Sequence, residues 1–152
     1  MVVIDSNSLT VLVLGLIDPK IINNHSRTSI YSEEDFRAIL EFIPDFDQLL
    51  VLPNIWTELD NLLNKYSGKR KYEYIESLML LTKKTTERYI ASLDVVENPA
   101  FFDLGLTDSA ILELAKDCDL LITSDSRLSD YARASGILVY DMVEFRNKKL
   151  LE

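Results

Sequence analysis

Asp5, Glu58, Asp108 and Asp125 each stand where an apolar segment meets a polar turn. Asp5 ends the run Val2-Val3-Ile4, and Asp125 follows Leu120-Leu121-Ile122-Thr123-Ser124, as a buried parallel strand ends at a sheet's ligand-binding edge. Asp108 falls in the first turn of a segment with helical spacing, and Glu58 in the second turn of another. Brought together, four carboxylates repel one another, and some take up protons unless a cation offsets them. Mg²⁺ or Mn²⁺ suits such a set: a hard ion takes one or two carboxylates directly, and the other acids hold its waters. A site of that kind polarises a phosphodiester and activates water, so it hydrolyses without a protein nucleophile. Asn7, Thr123 and Ser124, with Ser6 and Thr107, could steady the acids by hydrogen bonds, although turn and cap duties account for the same residues. Acids are common here, 25 of 152 residues, and a helix-start carboxylate serves the helix dipole alone. Each position is therefore a weak sign, and the four together are a stronger one.

The elements that must carry these acids alternate between strand and helix. After the first strand, residues 7–17 are apolar and can start as a helix, whereas residues 18–29 are polar and read as a loop. Ser32 caps a helix with Glu33, Glu34 and Asp35 in its first turn and Phe36, Ile39, Leu40 and Ile43 on one face, stopped by Pro44. Residues 49–52 read as a short buried strand. Pro53-Asn54 then opens a helix with Ile55, Leu59, Leu62, Leu63 and Tyr66 on its apolar face. Past Ser67-Gly68, a helix presents Ile75, Leu78, Met79 and Thr82, and residues 92–96 read as a strand. Thr107 is expected to cap a helix with Ile111, Leu114, Ala115 and Cys118 on one face. Residues 119–123 form a strand, Ser126 caps a short helix ending at Gly136, and residues 137–140 form the last strand. Such alternation implies a parallel sheet with helices on both faces and ligands at the strands' carboxyl ends.

Length and 47% hydrophobic content suit one domain over residues 1–152, with no repeat or linker to divide it. A single cysteine, Cys118, excludes an intrachain disulfide and suits a reducing cytoplasmic setting as part of the core. No run has membrane-spanning length, and the start lacks the basic residues of a signal peptide. A net charge of −9 is a poor global field for RNA. Lys65, Lys69, Arg70 and Lys71, then Lys83, Lys84 and Arg88, nevertheless form two basic clusters that can line an RNA path, with Tyr72 and Tyr74 placed to stack on bases. Solvated helix faces account for the clusters, and core or surface packing for the two tyrosines, equally well. His25, in the polar loop, is read as exposed and without a role. Glycine-rich phosphate loops and dinucleotide fingerprints are absent.

Four segments, in this order and spacing, resemble a PIN-domain ribonuclease. They are Val-Val-Ile-Asp5-Ser-Asn-Ser-Leu, Leu-Pro-Asn-Ile-Trp-Thr-Glu58-Leu, Gly-Leu-Thr-Asp108-Ser-Ala-Ile-Leu-Glu-Leu-Ala and Leu-Leu-Ile-Thr-Ser-Asp125-Ser-Arg-Leu. The resemblance implies a three-layer α/β/α sandwich and Mg²⁺- or Mn²⁺-dependent cleavage of single-stranded RNA. It makes Asp5, Glu58, Asp108 and Asp125 the catalytic and metal-binding acids, with Thr123 or Ser124 at the supporting polar position. The family includes toxins of toxin-antitoxin pairs, and its members commonly form homodimers. It thus also implies an antitoxin-like partner whose arginine enters the acidic pocket. The segment between Asp5 and Glu58 is longer than in compact toxin relatives. Two rival readings compete: the same fold with an incomplete metal site, used as an interaction module, and a phosphatase with Asp5 as nucleophile. The second needs an aspartate two residues on, where this chain has Asn7.

Overall fold

Val2, Val3 and Ile4, all β-branched and all buried, form β1 (Val2–Ile4) at the centre of a parallel sheet, in a computed structural model that describes residues 1–25, 28–65 and 67–152. On one side lies β2 (Leu49–Val51), with Leu49 opposite Val2; on the other lies β4 (Leu120–Thr123), with Ile122 opposite Ile4. The edges are β3 (Thr86–Glu87) and β5 (Val139–Asp141), giving the order β3-β2-β1-β4-β5 with every pair parallel. Strands covered on both faces need unbroken apolar runs. The inner three have them, and the edge strands do without.

Parallel neighbours can be joined only by crossovers, and here these are helical. The first crossover holds α1 (Ser6–Ile17), α2 (Ile21–Asn24) and α3 (Glu33–Phe42); the second holds α4 (Pro53–Leu63) and α5 (Lys69–Lys84). The third carries α6 (Ser92–Val95) and α7 (Phe101–Ala115), α8 (Ser126–Ala134) links β4 to β5, and α9 (Met142–Leu151) follows. Packing divides them: α1 lies against α3, α4 and α5, whereas α7 lies against α6 and α8. The result is the expected three-layer α/β/α sandwich. From β1 the chain moves to β2 on one side, and later fills the other side with β4. The carboxyl ends of β1 and β4 therefore flank the point where strand order reverses, the crevice where open α/β sheets bind ligands. Among the described residues no helix is long and apolar enough to cross a membrane.

Several local expectations are corrected. The segment 18–29 contains the one-turn helix α2, because Ile22 is fully buried and anchors it. His25 is buried too, its ring edge-on to Tyr74 at 5.9 Å, so Tyr74 belongs to the interior and cannot stack on a base. Residues 92–96 form α6, with Val95 turned inward, and not a strand. The missed strand, β3, is polar, and its place is set by pairing with Leu50 and Val51. In α5 the buried positions are Tyr74 and Leu81, with Leu78 partly covered, while Met79 and Thr82 face out. The last strand ends at Asp141, one residue beyond the expected end, and α9 was not foreseen. Tyr66 on the expected face of α4, and Ser26 and Arg27 in the expected loop, lie outside the described residues.

Gly15 sets how closely α1 and α3 approach. A methyl group on its α-carbon would overlap the Phe36 ring. Alanine in a helix interior normally gains about 1 kcal/mol over glycine. Here the overlap reverses the sign, and Gly15→Ala is expected to lower stability by about 1–3 kcal/mol in urea unfolding. An unchanged or raised midpoint would contradict this packing.

Candidate active site

Two strand-end aspartates are joined through one hydroxyl. The backbone N–H of Asp5 donates to the Ile122 carbonyl (3.1 Å), which carries the β1–β4 pairing one residue past the strand. Asp5 Oδ1 accepts from the Ser8 N–H (2.8 Å) and so caps α1. Its Oδ2 accepts from the Thr123 hydroxyl and from the Ser124 N–H (3.0 Å). Thr123 Oγ1 in turn accepts from the Asp125 N–H (3.0 Å). One hydroxyl both donates and accepts, as its chemistry allows. Asp125 then caps α8, its Oδ1 taking the Leu128 N–H at 2.9 Å. The cap is thus Asp125, where Ser126 had been expected.

The other two acids arrive on helices. Gly105, with φ 76° and ψ −173°, interrupts α7 in a conformation that side-chain-bearing residues avoid. Helix resumes directly after it, so the break lies at Gly105 and not at Thr107, and Asp108 falls in the first turn of the resumed helix. Pro53 opens α4 and Glu58 follows in its second turn, beside the buried Leu59. All four acids line one cavity of about 320 Å³, with Ser6, Asn7 and Thr107 between them and Leu104 and Leu106 on its wall.

Their proximity has an electrostatic signature. Burial first, then the charges of Asp125, Asp5 and Glu58, push the Asp108 carboxyl up to about 7. Burial also raises Asp5, against the pull of the Thr123, Ser8 and Ser124 donors. Among the described residues, no three His, Cys, Asp or Glu side chains converge closely enough to grip an ion between them. The donor set fits a hydrated divalent ion, held by one or two direct carboxylates with waters between it and the rest. It does not fit a dehydrated ion in an all-protein cage.

The remaining expected residues divide. Asn7 lines the cavity, whereas Thr123 and Ser124 sit behind it and hold Asp5. None of Lys69, Arg70, Lys71, Lys83 or Lys84 lines it. They occupy the first and last turns of α5, about 20 Å apart by helical rise, and Arg70 pairs with Glu73 at 2.7 Å. A larger cavity, about 620 Å³, runs beside α5 and the end of α1, but shares no residue with the acidic one. Two participants escaped the sequence reading. Tyr31 is buried within range of the Asp5 charge, and its phenol is raised chiefly by burial; no local pattern marks it. Asp141 ends β5 as Asp5 ends β1, a signal present in Val139-Tyr140-Asp141. Its carboxylate, however, caps α9 through Val143 and Glu144 and accepts from Ser129 (2.6 Å), away from the cavity.

Asp108 predicts a pH dependence. The native chain keeps a proton that the unfolded chain loses near 3.8, so this group's contribution to stability falls as pH rises from about 4 to about 7 and is flat above. In metal-free buffer, the stability gained by Asp108→Asn should grow across that window and then level off in urea titrations. A gain independent of pH would refute the shift. Removing the bridging hydroxyl in Thr123→Val should cost about 1–3 kcal/mol, since it leaves buried polar partners unsatisfied, and Thr123→Ser should recover most of it. Equal stability of the valine variant and the parent would exclude the bridge. No family model matches the chain, and no curated protein sequence matches it.

Proposed function

We propose that the chain is a metal-dependent ribonuclease of the PIN-domain kind, which hydrolyses phosphodiester bonds of single-stranded RNA. The observation that carries this reading is the meeting of Asp5, Glu58, Asp108 and Asp125, from four separate segments, in one cavity at the reversal of strand order. A carboxylate raised by burial and by the charges of its neighbours, as Asp108 is, is stabilised in its charged form by a cation. Asp125 and Glu58 would hold it or its waters from the more open side, Asp108 from the resumed helix, and Asp5 from the floor. Mg²⁺ or Mn²⁺ bound there would supply positive charge to the phosphate and lower the pKa of water.

The chain's own residues then have separable tasks. Asp5 cannot swing, because Ser8, Thr123 and Ser124 engage both of its oxygens. Asp108 is the proton-carrying acid: its carboxyl, near neutrality without a cation, must release its proton as positive charge enters. Leu104 and Leu106 give the cavity one apolar wall. The antitoxin-like partner and the homodimer belong to the same proposal. An arginine from such a partner would find in the cavity the carboxylates it pairs with best.

Incubation of a mixed panel of single-stranded RNAs with Mg²⁺, Mn²⁺ or EDTA tests the reading. Cleavage with either metal, absent with EDTA and slowed about 100-fold or more in Asp5→Asn and Asp108→Asn, is the expected result. Products that persist in EDTA or in both variants would sink it. Neither variant removes volume, so folding can be checked by circular dichroism beside each assay.

A further inference from the structure

We propose that Phe102 and Arg127 form a nucleotide-binding step on the rim of the acidic cavity, where a base of single-stranded RNA stacks on the ring and its phosphate meets the guanidinium. The inference rests on the reading of the cavity as an RNA-cutting site and names where the strand is held.

Phe102 is 93% exposed, in the first turn of α7. Two residues on, Leu104 lines the acidic cavity, and Leu106 lines it again beyond the Gly105 break. Two residues of helix set Phe102 about 3 Å along the axis from Leu104 and on another side of the segment, so the ring flanks the wall of the site and does not line it. Its support is firm. The Ala100 N–H donates to Asn98 Oδ1 (2.9 Å), and the Asn98 amide donates to Glu113 farther along α7. The Tyr131 hydroxyl donates to the Asp103 carboxylate.

Arg127 reaches the same segment from the other side. It follows Asp125 by two residues in the first turn of α8, and its Nη1 donates to the Asp103 carbonyl at 3.2 Å. One guanidinium thus lies between a cavity acid and the neighbour of Phe102. A guanidinium carries five N–H donors, and the fork suits a phosphate. A ring, and a cation held at the carbonyl of the next residue, match the two halves of a nucleotide. The ring offers a face that any base can use, which gives affinity with little sequence preference. Paired strands hide that face, so the step selects single strands. Arg127 also brings positive charge to the site in a chain whose net charge of −9 otherwise repels RNA.

Fluorescence anisotropy with a labelled 12-mer of uridylates, in EDTA at low ionic strength, reads binding apart from cleavage. Phe102→Ala is expected to weaken binding of the intact oligomer about tenfold, and Phe102→Trp to keep it. A 12-mer with abasic sites should bind wild type and Phe102→Ala alike, and Arg127→Gln should weaken both oligomers and flatten their salt dependence. Equal affinity of wild type and Phe102→Ala for the intact oligomer, equal losses on both oligomers, or no binding by wild type would overturn the step. So would a change of oligomeric state in Phe102→Ala with RNA affinity unaltered, which would assign the ring to a protein contact. Binding that depends on Phe102, together with no cleavage in any metal, would instead count against the nuclease reading and leave the step standing.

Discussion

Four carboxylates that repel one another must be held at one edge of a sheet, and the architecture around them answers that constraint. Positive ends of backbone dipoles collect there: α1 and α8 begin at Asp5 and Asp125, and α7 resumes just ahead of Asp108. Each helix start favours negative charge by a few tenths to about 1 kcal/mol. These contributions offset only part of the repulsion. Burial of Asp108, and after it the repulsion that remains, appear as the proton that this carboxyl retains to about 7. A rigid scaffold and a partly neutralised group of acids are together what the proposed cation would meet.

Cap and site are here the same groups seen from two sides. A cap needs one carboxylate oxygen, as in Asp125, where Oδ1 takes the Leu128 N–H at 2.9 Å. Asp125 is exposed and lines the cavity as well as ending its helix. Asp5 has both oxygens bonded and is buried, so it acts as the fixed point against which the others are measured. Asp141 carries the same strand-end motif but commits both oxygens to α9 and Ser129. The difference between a structural and a chemical aspartate therefore lies in what the neighbouring element asks of its oxygens, and the motif alone does not contain it.

That limit marks how far the chain could be read in advance. Strands buried on both faces announce themselves, and β1, β2 and β4 were legible for that reason. Of the edge strands, β5 was legible apart from its exact ends, whereas β3 was not: it is two polar residues placed only by pairing with Leu50 and Val51. His25 looked like a surface residue, and Tyr74 was open to a surface or a core reading, because their neighbours in sequence are polar; their burial comes from packing between α2 and α5, which no local pattern records. The convergence of Asp5, Glu58, Asp108 and Asp125 was legible because strand ends and helix starts fall on one side of a parallel sheet. Phe102 was not, since exposure of a large apolar ring cannot be seen in a sequence whose apolar residues normally turn inward.

The brevity of β3 has a consequence for the molecule in a crowded solution. A long flat edge presents a row of free backbone donors and acceptors that a strand from another chain can extend. Here the β3 edge is only two residues long, Thr86 and Glu87, and the Thr86 hydroxyl is already turned back to the Asp47 carbonyl. A charged glutamate occupies half of that edge. The sheet is thereby closed to growth on this side, so a core rich in aggregation-prone valine, isoleucine and leucine stays shielded by one of the least conspicuous segments of the chain.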